Sequence, residues 1–185
     1  MVGMEVQVDS LADYERKRAD AALRVPLHGE RSKRLTWLYF LTGNASVRRA
    51  DLDRVGGFDE AFTGYGHEDL ELGYRLQRAG VAIVYEPRAV NYHWHPVPYE
   101  ERKSKMELAG RSTVRFYRKH PDVVVKTRLG MTPVSLGLHG LMARAPALLA
   151  RLERASAAGD GFARTLVLQY HYVTGIKSAL ATVDA

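Results

Sequence analysis

A glycine-rich loop that leads directly into a helix beginning with two acidic residues constrains this chain more than any other feature. Residues 56–66 contain four glycines, and glycine permits backbone conformations that a side chain would block. After Glu68 and Asp69, apolar residues recur at helical spacing as far as Gly80, a residue type that commonly ends helices. We therefore predict a helix over residues 67–79 with both acids in its first turn.

Helix chemistry allows two interpretations of Glu68 and Asp69. The free amides and the dipole at a helix start favour ionised carboxylates, and a charged carboxylate beside a loop can act as a general base. Acidic residues at helix starts also serve simply to cap the helix. The two residues by themselves leave both interpretations open.

A longer pattern surrounds this pair within residues 36–95. Its parts, in chain order, are Thr-Gly-Asn at 42–44, GGFDE at 56–60, GYGHEDLELGYRL at 64–76 and a histidine after the next predicted strand. Together they resemble the C-terminal half of a family-2, GT-A-type glycosyltransferase, and they are most similar to the galactosyltransferase-type C-terminal domain. The resemblance implies an α/β fold, the C-terminal portion of a GT-A (nucleotide-diphospho-sugar transferase) fold with a helical C-terminal tail. We expect a partial glycosyltransferase domain over 1–128 and a helical extension over 129–185.

The resemblance also implies an activity and a catalytic residue. Such enzymes transfer a sugar from a nucleotide-sugar to a hydroxyl acceptor, with inversion and with help from a divalent metal, Mn²⁺ or Mg²⁺. In related enzymes the second acid of the pair is the base, and Asp69 occupies that place. A hydroxyl is a poor nucleophile until a group accepts its proton. Glu68 would then bind the acceptor or orient the loop.

Two histidines near the end of a predicted strand are the candidate metal ligands. In the resembled fold a histidine after this strand completes a metal shell, and the position six residues after Pro87 points to His93. His95 is the alternative, and two residues spaced in this way on a strand share one face. Imidazole suits Mn²⁺ when carboxylates complete the ligand set.

The nucleotide-binding half of the resembled fold has no counterpart in this sequence. That half ends in an Asp-x-Asp motif, and no such motif precedes residue 36 here. Asp51-Leu52-Asp53 has the right residue types, but it lies in a predicted short helix over 49–55, and we interpret it as helix surface. We therefore expect a truncated chain that holds a metal weakly without the missing half.

A second loop is the first candidate for substrate contact. By resemblance, the loop at Gly43 and Asn44 faces the donor sugar, although Gly-Asn is equally typical of an ordinary tight turn. Trp94 either stacks on a sugar ring or packs at the core or its rim. Both alternatives stay open at each position.

The glycine-rich loop supplies the remaining candidates, Gly64, Tyr65 and Gly66. Because Tyr65 lies between two glycines, we predict that it is exposed and mobile. Such a loop can close over a donor and complete an acceptor site, and the Tyr65 ring can stack on a sugar or simply pack.

The remaining elements are predicted from periodicity and from Gly and Pro positions. They are a helix over 9–23, a loop over 24–34, a buried strand over 35–41, strand resuming at 45–47, strands at 81–85 and 89–94, a long basic helix over 98–119, and helical stretches over 133–152 and 162–182. The basic helix has either a solvated face or a face for diphosphate or anionic lipid. The apolar stripe of the last helix fits a core, a partner interface or a membrane surface.

Composition limits the class of protein and its partners. The 185-residue length fits one core domain, and the absence of cysteine excludes disulfides and thiolate metal sites. A net charge of +6 favours anionic partners. The first residues show no secretory signal pattern, so we expect a cytoplasmic protein, with peripheral membrane contact left open.

The sequence thus favours an acceptor-side half of a glycosyltransferase. Its expected partners are a nucleotide-sugar donor, a glycan, lipid-linked or other hydroxyl acceptor, and a second chain or a homodimer partner. One alternative is a non-catalytic truncated remnant that binds glycan or a partner chain. A nucleic-acid-binding module is a third option on charge alone, but the chain carries no recognisable nucleic-acid motif, so no nucleic acid is expected.

Overall fold

The computed structural model describes residues 1–20 and 34–182, which form two compact units. The first, called here the sheet unit, comprises Met1–Ala61 and Glu68–Pro96. The second, the helical unit, comprises Phe62–His67 and Val97–Ala185. The mixed α/β class is confirmed. The end of the predicted helix 9–23 and nearly all of the predicted loop 24–34 lie outside the described residues.

The sheet unit contains three strands in the order β1-β3-β2. They are β1 (Val2–Val8), β2 (Arg34–Leu35) and β3 (Ile83–Trp94). β1 runs parallel to β3, and β2 runs antiparallel to it. β1 was not predicted from the sequence, although Val2, Val6 and Val8 are buried.

β3 is a single strand where two were predicted, at 81–85 and 89–94. Pro87 lies inside it. The pairing with β1 shifts between Val2, which faces Tyr85, and Met4, which faces Val90. Pro87 falls in this irregular stretch, so its missing N–H does not interrupt a regular ladder.

The predicted strand over 35–41 is wrong beyond Leu35. A 3₁₀ turn at Trp37–Tyr39 follows β2, and a second one occupies Thr42–Asn44. The aromatic side chains of this segment pack on a helix instead of extending the ladder: the Trp37 and Tyr74 rings meet edge to face at 5.7 Å. The predicted strand at 45–47 is reduced to an isolated bridge between Val2 and Ala45.

Three helices complete the described part of the sheet unit. They are α1 (Leu11–Ala19), α2 (Arg49–Val55) and α3 (Glu68–Arg78). Ser10 caps α1 through its side chain, which accepts a hydrogen bond from the Asp13 N–H. α2 ends at Gly56, whose φ of 84° suits glycine. Asp51 and Asp53 pair with arginines on the same helix, which supports their interpretation as helix surface.

The helical unit contains five helices among its described residues. They are α4 (Tyr99–Lys119), α5 (Val123–Arg128), α6 (Pro133–Ala143), α7 (Pro146–Ala157) and α8 (Gly161–Ala181). The predicted helix 133–152 is two helices because α6 ends before Pro146, which begins α7. α5 was not predicted. No helix in the described ranges is both long enough and apolar enough to cross a membrane.

α4 and α8 form the core contact of the helical unit through two glycines. A Cβ atom on Gly110 would lie 2.0 Å from the carbonyl oxygen of Tyr172, and one on Gly175 would lie 2.0 Å from that of Glu107. The two backbones therefore approach more closely than any side chain would permit. Val173 and Ile176 are buried beside this crossing.

Candidate functional site

Asp69 is held by a residue of the neighbouring loop. Its Oδ1 accepts a hydrogen bond of 2.5 Å from Thr42 Oγ1, and its Oδ2 accepts one of 3.1 Å from the Thr42 backbone N–H. Thr42 begins the 3₁₀ turn that contains Gly43 and Asn44. The fold therefore brings Asp69 to the second predicted loop. A carboxylate has about four acceptor positions, so two hydrogen bonds fix Asp69 and leave capacity for a substrate proton.

Glu68 stands beside Asp69 in the first turn of α3, as predicted. Its Oε2 atom is buried and has no hydrogen-bond partner among the described residues. A buried carboxylate oxygen without a partner is energetically unfavourable. Glu68 can therefore accept a hydrogen bond from a hydroxyl or amide that reaches it.

Glu5 packs so closely against Gly43 that a side chain at this position would clash with it. A Cβ on Gly43 would lie 1.9 Å from Glu5 Oε2. The Gly43 carbonyl accepts a hydrogen bond of 2.7 Å from Asn91 Nδ2. Glycine is therefore required here so that Glu5 can cross the loop.

Asn44 holds two strands together. Its Nδ2 donates to the carbonyl oxygens of Met4 and Ala89, both at 2.9 Å. Both amide hydrogens are thereby used, so only its Oδ1 could serve a ligand. This arrangement favours the structural alternative for Asn44.

Glu5 also contacts the predicted metal ligand His93. His93 Nδ1 lies 3.0 Å from Glu5 Oε1, and the rings of His93 and His95 lie 5.7 Å apart between centroids. Gln7 donates a further hydrogen bond of 2.7 Å to Glu5 Oε1. Glu5 thus lies between the Gly43 loop and His93 and contacts both. Glu5 was not predicted as a site residue because strand β1, which positions it, was not predicted.

The residues around His93 fit part of a metal site. Ligating histidines usually have their second ring nitrogen held by a carboxylate or carbonyl, and Glu5 holds Nδ1 in this way. His93 Nε2 is then the atom suited to a metal. Across residues 1–20 and 34–182, however, no three His, Cys, Asp or Glu side chains converge closely enough to bind an ion.

Trp94 does not belong to the core. It lies at the end of β3 opposite Val8, and its exposed fraction is 60%. Of the alternatives left open for this residue, packing in the core is therefore ruled out. An exposed indole at a strand end remains compatible with a rim position or with sugar stacking.

Gly64, Tyr65 and Gly66 belong to the helical unit. The Tyr65 carbonyl accepts a hydrogen bond of 3.0 Å from Ser112 Oγ, and Lys105 Nζ lies 5.4 Å from the centre of the exposed Tyr65 ring. Gly66 has φ 94°, and a Cβ there would lie 3.2 Å from the Ala109 Cβ. Tyr65 is exposed as predicted, and its backbone is anchored to α4.

His67 was not predicted as a site residue, but its backbone has an unusual conformation. Its φ is 72°, the only positive value at a non-glycine residue in the described ranges. His67 Nε2 lies 2.7 Å from Thr113 Oγ1 and 3.3 Å from Tyr172 Oη. Tyr172 in turn donates to the Leu129 carbonyl. This polar network holds an otherwise unfavourable backbone in place.

Burial changes the pKa values in this network. It lowers the pKa of His67 to about 4 and raises the pKa of Tyr172 to about 12. Both shifts arise because burial disfavours the charged form of each group. At neutral pH both side chains are therefore uncharged and available only as hydrogen-bonding groups.

Comparison with known proteins finds a family resemblance in the first half of the chain. A family model described as the N-terminal domain of galactosyltransferase matches residues 30–95. This match supports the galactosyltransferase-type resemblance of residues 30–95. Where this segment would lie within a complete enzyme is a matter for proposal. No solved structure matches the chain to a significant degree.

Several curated glycosyltransferases resemble about half of the chain. Validoxylamine A glucosyltransferase of Streptomyces hygroscopicus subsp. jinggangensis is 42% identical over 91 residues, which are 49% of this chain and 21% of that protein. Chondroitin synthase of Escherichia coli is 34% identical over 106 residues, 53% of this chain and 15% of that protein. Hyaluronan synthase of Pasteurella multocida is 33% identical over 91 residues, 49% of this chain and 9% of that protein.

These matches show a resemblance that is confined to part of the chain. Over about half of its length, the chain is similar to part of a glycosyltransferase. It spans about a fifth or less of the length of the three relatives described above.

Proposed function

We propose that this chain is the acceptor-side part of a family-2, GT-A-type glycosyltransferase that transfers a sugar from a nucleotide-sugar to a hydroxyl with inversion. The observation that carries the proposal is the anchoring of Asp69 by both the side chain and the backbone of Thr42. A carboxylate fixed in this way beside a loop is pre-organised to receive a proton.

The proposed reaction is a single displacement. The acceptor oxygen attacks the anomeric carbon while its proton passes to a carboxylate oxygen of Asp69. The bond between the anomeric carbon and the phosphate oxygen breaks, and the nucleoside diphosphate leaves with the electron pair. Attack opposite the leaving group inverts the configuration. Glu68 accepts a hydrogen bond from the substrate that receives the sugar. Its Oε2 atom, which has no partner among the described residues, takes this role.

The proposal assigns a supporting role to the His93 region. A divalent metal bound there would neutralise charge on the diphosphate, with His93 Nε2 as one ligand and Glu5 holding the other ring nitrogen. His95 is the alternative ligand. Carboxylates from a second chain would complete the ligand set.

The other substrate contacts also belong to the proposal. Gly43 shapes the loop beside Asp69, and Trp94 and Tyr65 offer exposed rings to sugars. Gly64 and Gly66 permit the backbone conformation on either side of Tyr65. The donor is a nucleotide-sugar, and the acceptor is a glycan, a lipid-linked sugar or another hydroxyl compound.

Titration calorimetry of the chain with UDP and GDP, with and without Mn²⁺, tests the donor side of this proposal. We expect binding of one nucleotide that strengthens with Mn²⁺ and is lost in His93→Ala. His120→Ala, at the end of α4 in the other unit, is the matched control and should bind as the wild type does. If both variants bind the nucleotide as the wild type does, His93 is excluded as the metal ligand.

A panel of nucleotide-sugars with release of nucleoside diphosphate as the readout tests the transfer itself. Release of nucleoside diphosphate that depends on an added acceptor supports the proposed transferase activity. Binding of glycan without any release by the wild type would instead support the non-catalytic remnant.

A further inference from the structure

The solvent-exposed face of α6 has no polar side chain. This face consists of exposed Pro133, Val134, Gly137, Leu138 and Leu141. The exposed fractions of the three largest members are 80% for Val134, 46% for Leu138 and 65% for Leu141. Their spacing of four and three residues places them in one row along the helix. We call these five residues the α6 face.

The polar residues of α6 point toward the protein. His139 is buried, and its Nε2 lies 2.9 Å from Thr174 Oγ1 while its ring stacks on Tyr170. Ser135 completes a capping box with Thr132 at the start of the helix. An ordinary surface helix has the opposite arrangement, with polar residues outside. An apolar face of this kind marks an interaction surface.

The segment around the α6 face is basic and contains no acidic residue. Residues 123–152 hold Lys126, Arg128, Arg144 and Arg151, whereas the nearest acids, Asp122 and Glu153, lie just outside this stretch. His139 adds no charge at neutral pH, since burial and Lys177 lower its pKa. Arg144 is the C-cap of α6, three residues after Leu141. Apolar surface and positive charge therefore occur in the same stretch of the sequence, and Arg144 lies on α6 itself at its C-terminal end.

We propose that the α6 face docks on the surface of an anionic lipid bilayer. Val134, Leu138 and Leu141 enter the boundary between headgroups and acyl chains, as the apolar faces of interfacial helices do. Basic side chains such as Arg144 reach the lipid phosphates while their stems stay in apolar surroundings. The helix lies on the membrane and does not cross it.

Charge complementarity favours lipid over a second copy of this chain as the occupant. Two copies joined through this face would bring together two copies of Arg144, which caps α6. The surrounding residues 123–152 supply no acid to offset this charge. Like charges that meet across an interface oppose association. This inference goes beyond the proposed function, and it does not depend on whether the chain transfers sugar.

Vesicle co-sedimentation of the full chain tests the proposal. Vesicles of phosphatidylcholine with added phosphatidylglycerol should retain the wild type, with retention that weakens as salt screens the charges. Pure phosphatidylcholine vesicles should retain much less. Leu138→Gln with Leu141→Gln should lower the partition coefficient by about tenfold, and Arg144→Gln should lower it by about fivefold.

Leu11→Gln is the matched control, because Leu11 is equally exposed but lies on α1 of the sheet unit. It should leave vesicle binding unchanged, and circular dichroism should show that every variant is folded. Equal retention of the wild type and the double variant would overturn the proposal. Retention on neither vesicle, or a wild-type dimer that the double variant converts to monomer, would overturn it as well.

Discussion

Asp69 and Thr42 form a two-point contact between the start of α3 and the loop that precedes α2. The Thr42 hydroxyl and the Thr42 backbone N–H each donate to a different oxygen of the same carboxylate. This relationship fixes both the position and the rotation of the carboxylate plane. It also explains how residues far apart in the sequence form one candidate site.

The hydroxyl of Thr42 should matter for transfer more than for folding. Thr42→Val keeps the shape and the backbone N–H but removes the hydrogen bond to Asp69 Oδ1. Since hydrogen bonds to charged groups contribute roughly 1.5–3 kcal/mol, we expect kcat to fall about tenfold to a hundredfold. Steady-state rates measure this, and Thr42→Ser, which restores a hydroxyl, should recover most of the loss. Full activity in Thr42→Val would show that the contact does not position Asp69.

Glu71 and Arg75 form a buried ion pair that should stabilise the sheet unit. Glu71 is fully buried, and Arg75 reaches it through Nε and Nη2 while also donating to the carbonyl of Gly57. Glu71→Gln leaves the guanidinium without its counter-charge, so we expect the free energy of unfolding to fall by about 3 kcal/mol.

Chemical denaturation measures the effect, and Arg49→Gln is its control. Arg49 pairs with Asp53 on the exposed surface of α2, so its loss should change the free energy of unfolding by less than about 1 kcal/mol. Equal effects of the two substitutions would contradict the importance of the buried pair.

Two helical glycines should respond to alanine in opposite directions. Gly110→Ala places a Cβ atom 2.0 Å from the Tyr172 carbonyl oxygen, which forces α4 and α8 apart, and we expect a loss of about 1–3 kcal/mol. Gly137→Ala meets no atom within 4 Å on α6, so the higher helix propensity of alanine should stabilise by up to about 1 kcal/mol. Thermal unfolding of both variants measures this contrast. A stabilised Gly110→Ala variant would contradict the close helix crossing.

His67 should make folding stability sensitive to acid. Its pKa falls from an ordinary 6.5 to about 4 in the folded state because of burial. Above pH 6.5 the imidazole is neutral in both the folded and the unfolded chain, so it does not change the free energy of unfolding. Below pH 6.5 the unfolded chain binds a proton on His67 before the folded chain does, and the free energy of unfolding falls. The loss should approach about 3 kcal/mol near pH 4.

Urea titrations between pH 7.5 and 4.5 measure this loss against His67→Asn. Asparagine tolerates a positive φ and does not titrate in this range. The variant should be less stable than the wild type at pH 7.5, and the difference should shrink as the pH falls. A constant difference across the range would show that His67 does not titrate as proposed.

Helices with clear start and stop residues could be predicted from the sequence. α2, α3 and α4 begin and end within a residue or two of their predicted positions, because Gly56, Gly80 and the prolines around α4 mark their limits. The strands were harder to predict. The aromatic run after Leu35 has the composition of a strand, yet its rings pack on α3, a tertiary contact that local sequence does not encode.

The candidate site shows the same division. Asp69 and His93 could be named as candidates because the surrounding residues resemble a known family. Glu5 and Thr42 could not, since Glu5 contacts His93 across 88 positions and Thr42 contacts Asp69 across 27. Such pairs depend on strand register and loop conformation. The role of His67 depends likewise on helices that follow much later in the chain.

The most direct test of the proposed mechanism is the transfer rate of Asp69→Asn. With a donor and acceptor that the wild type uses, loss of the proton acceptor should lower kcat by about a hundredfold or more. Asp53→Asn, on the exposed surface of α2, should keep the wild-type rate. A wild-type rate in Asp69→Asn would contradict the assignment of Asp69 as the base.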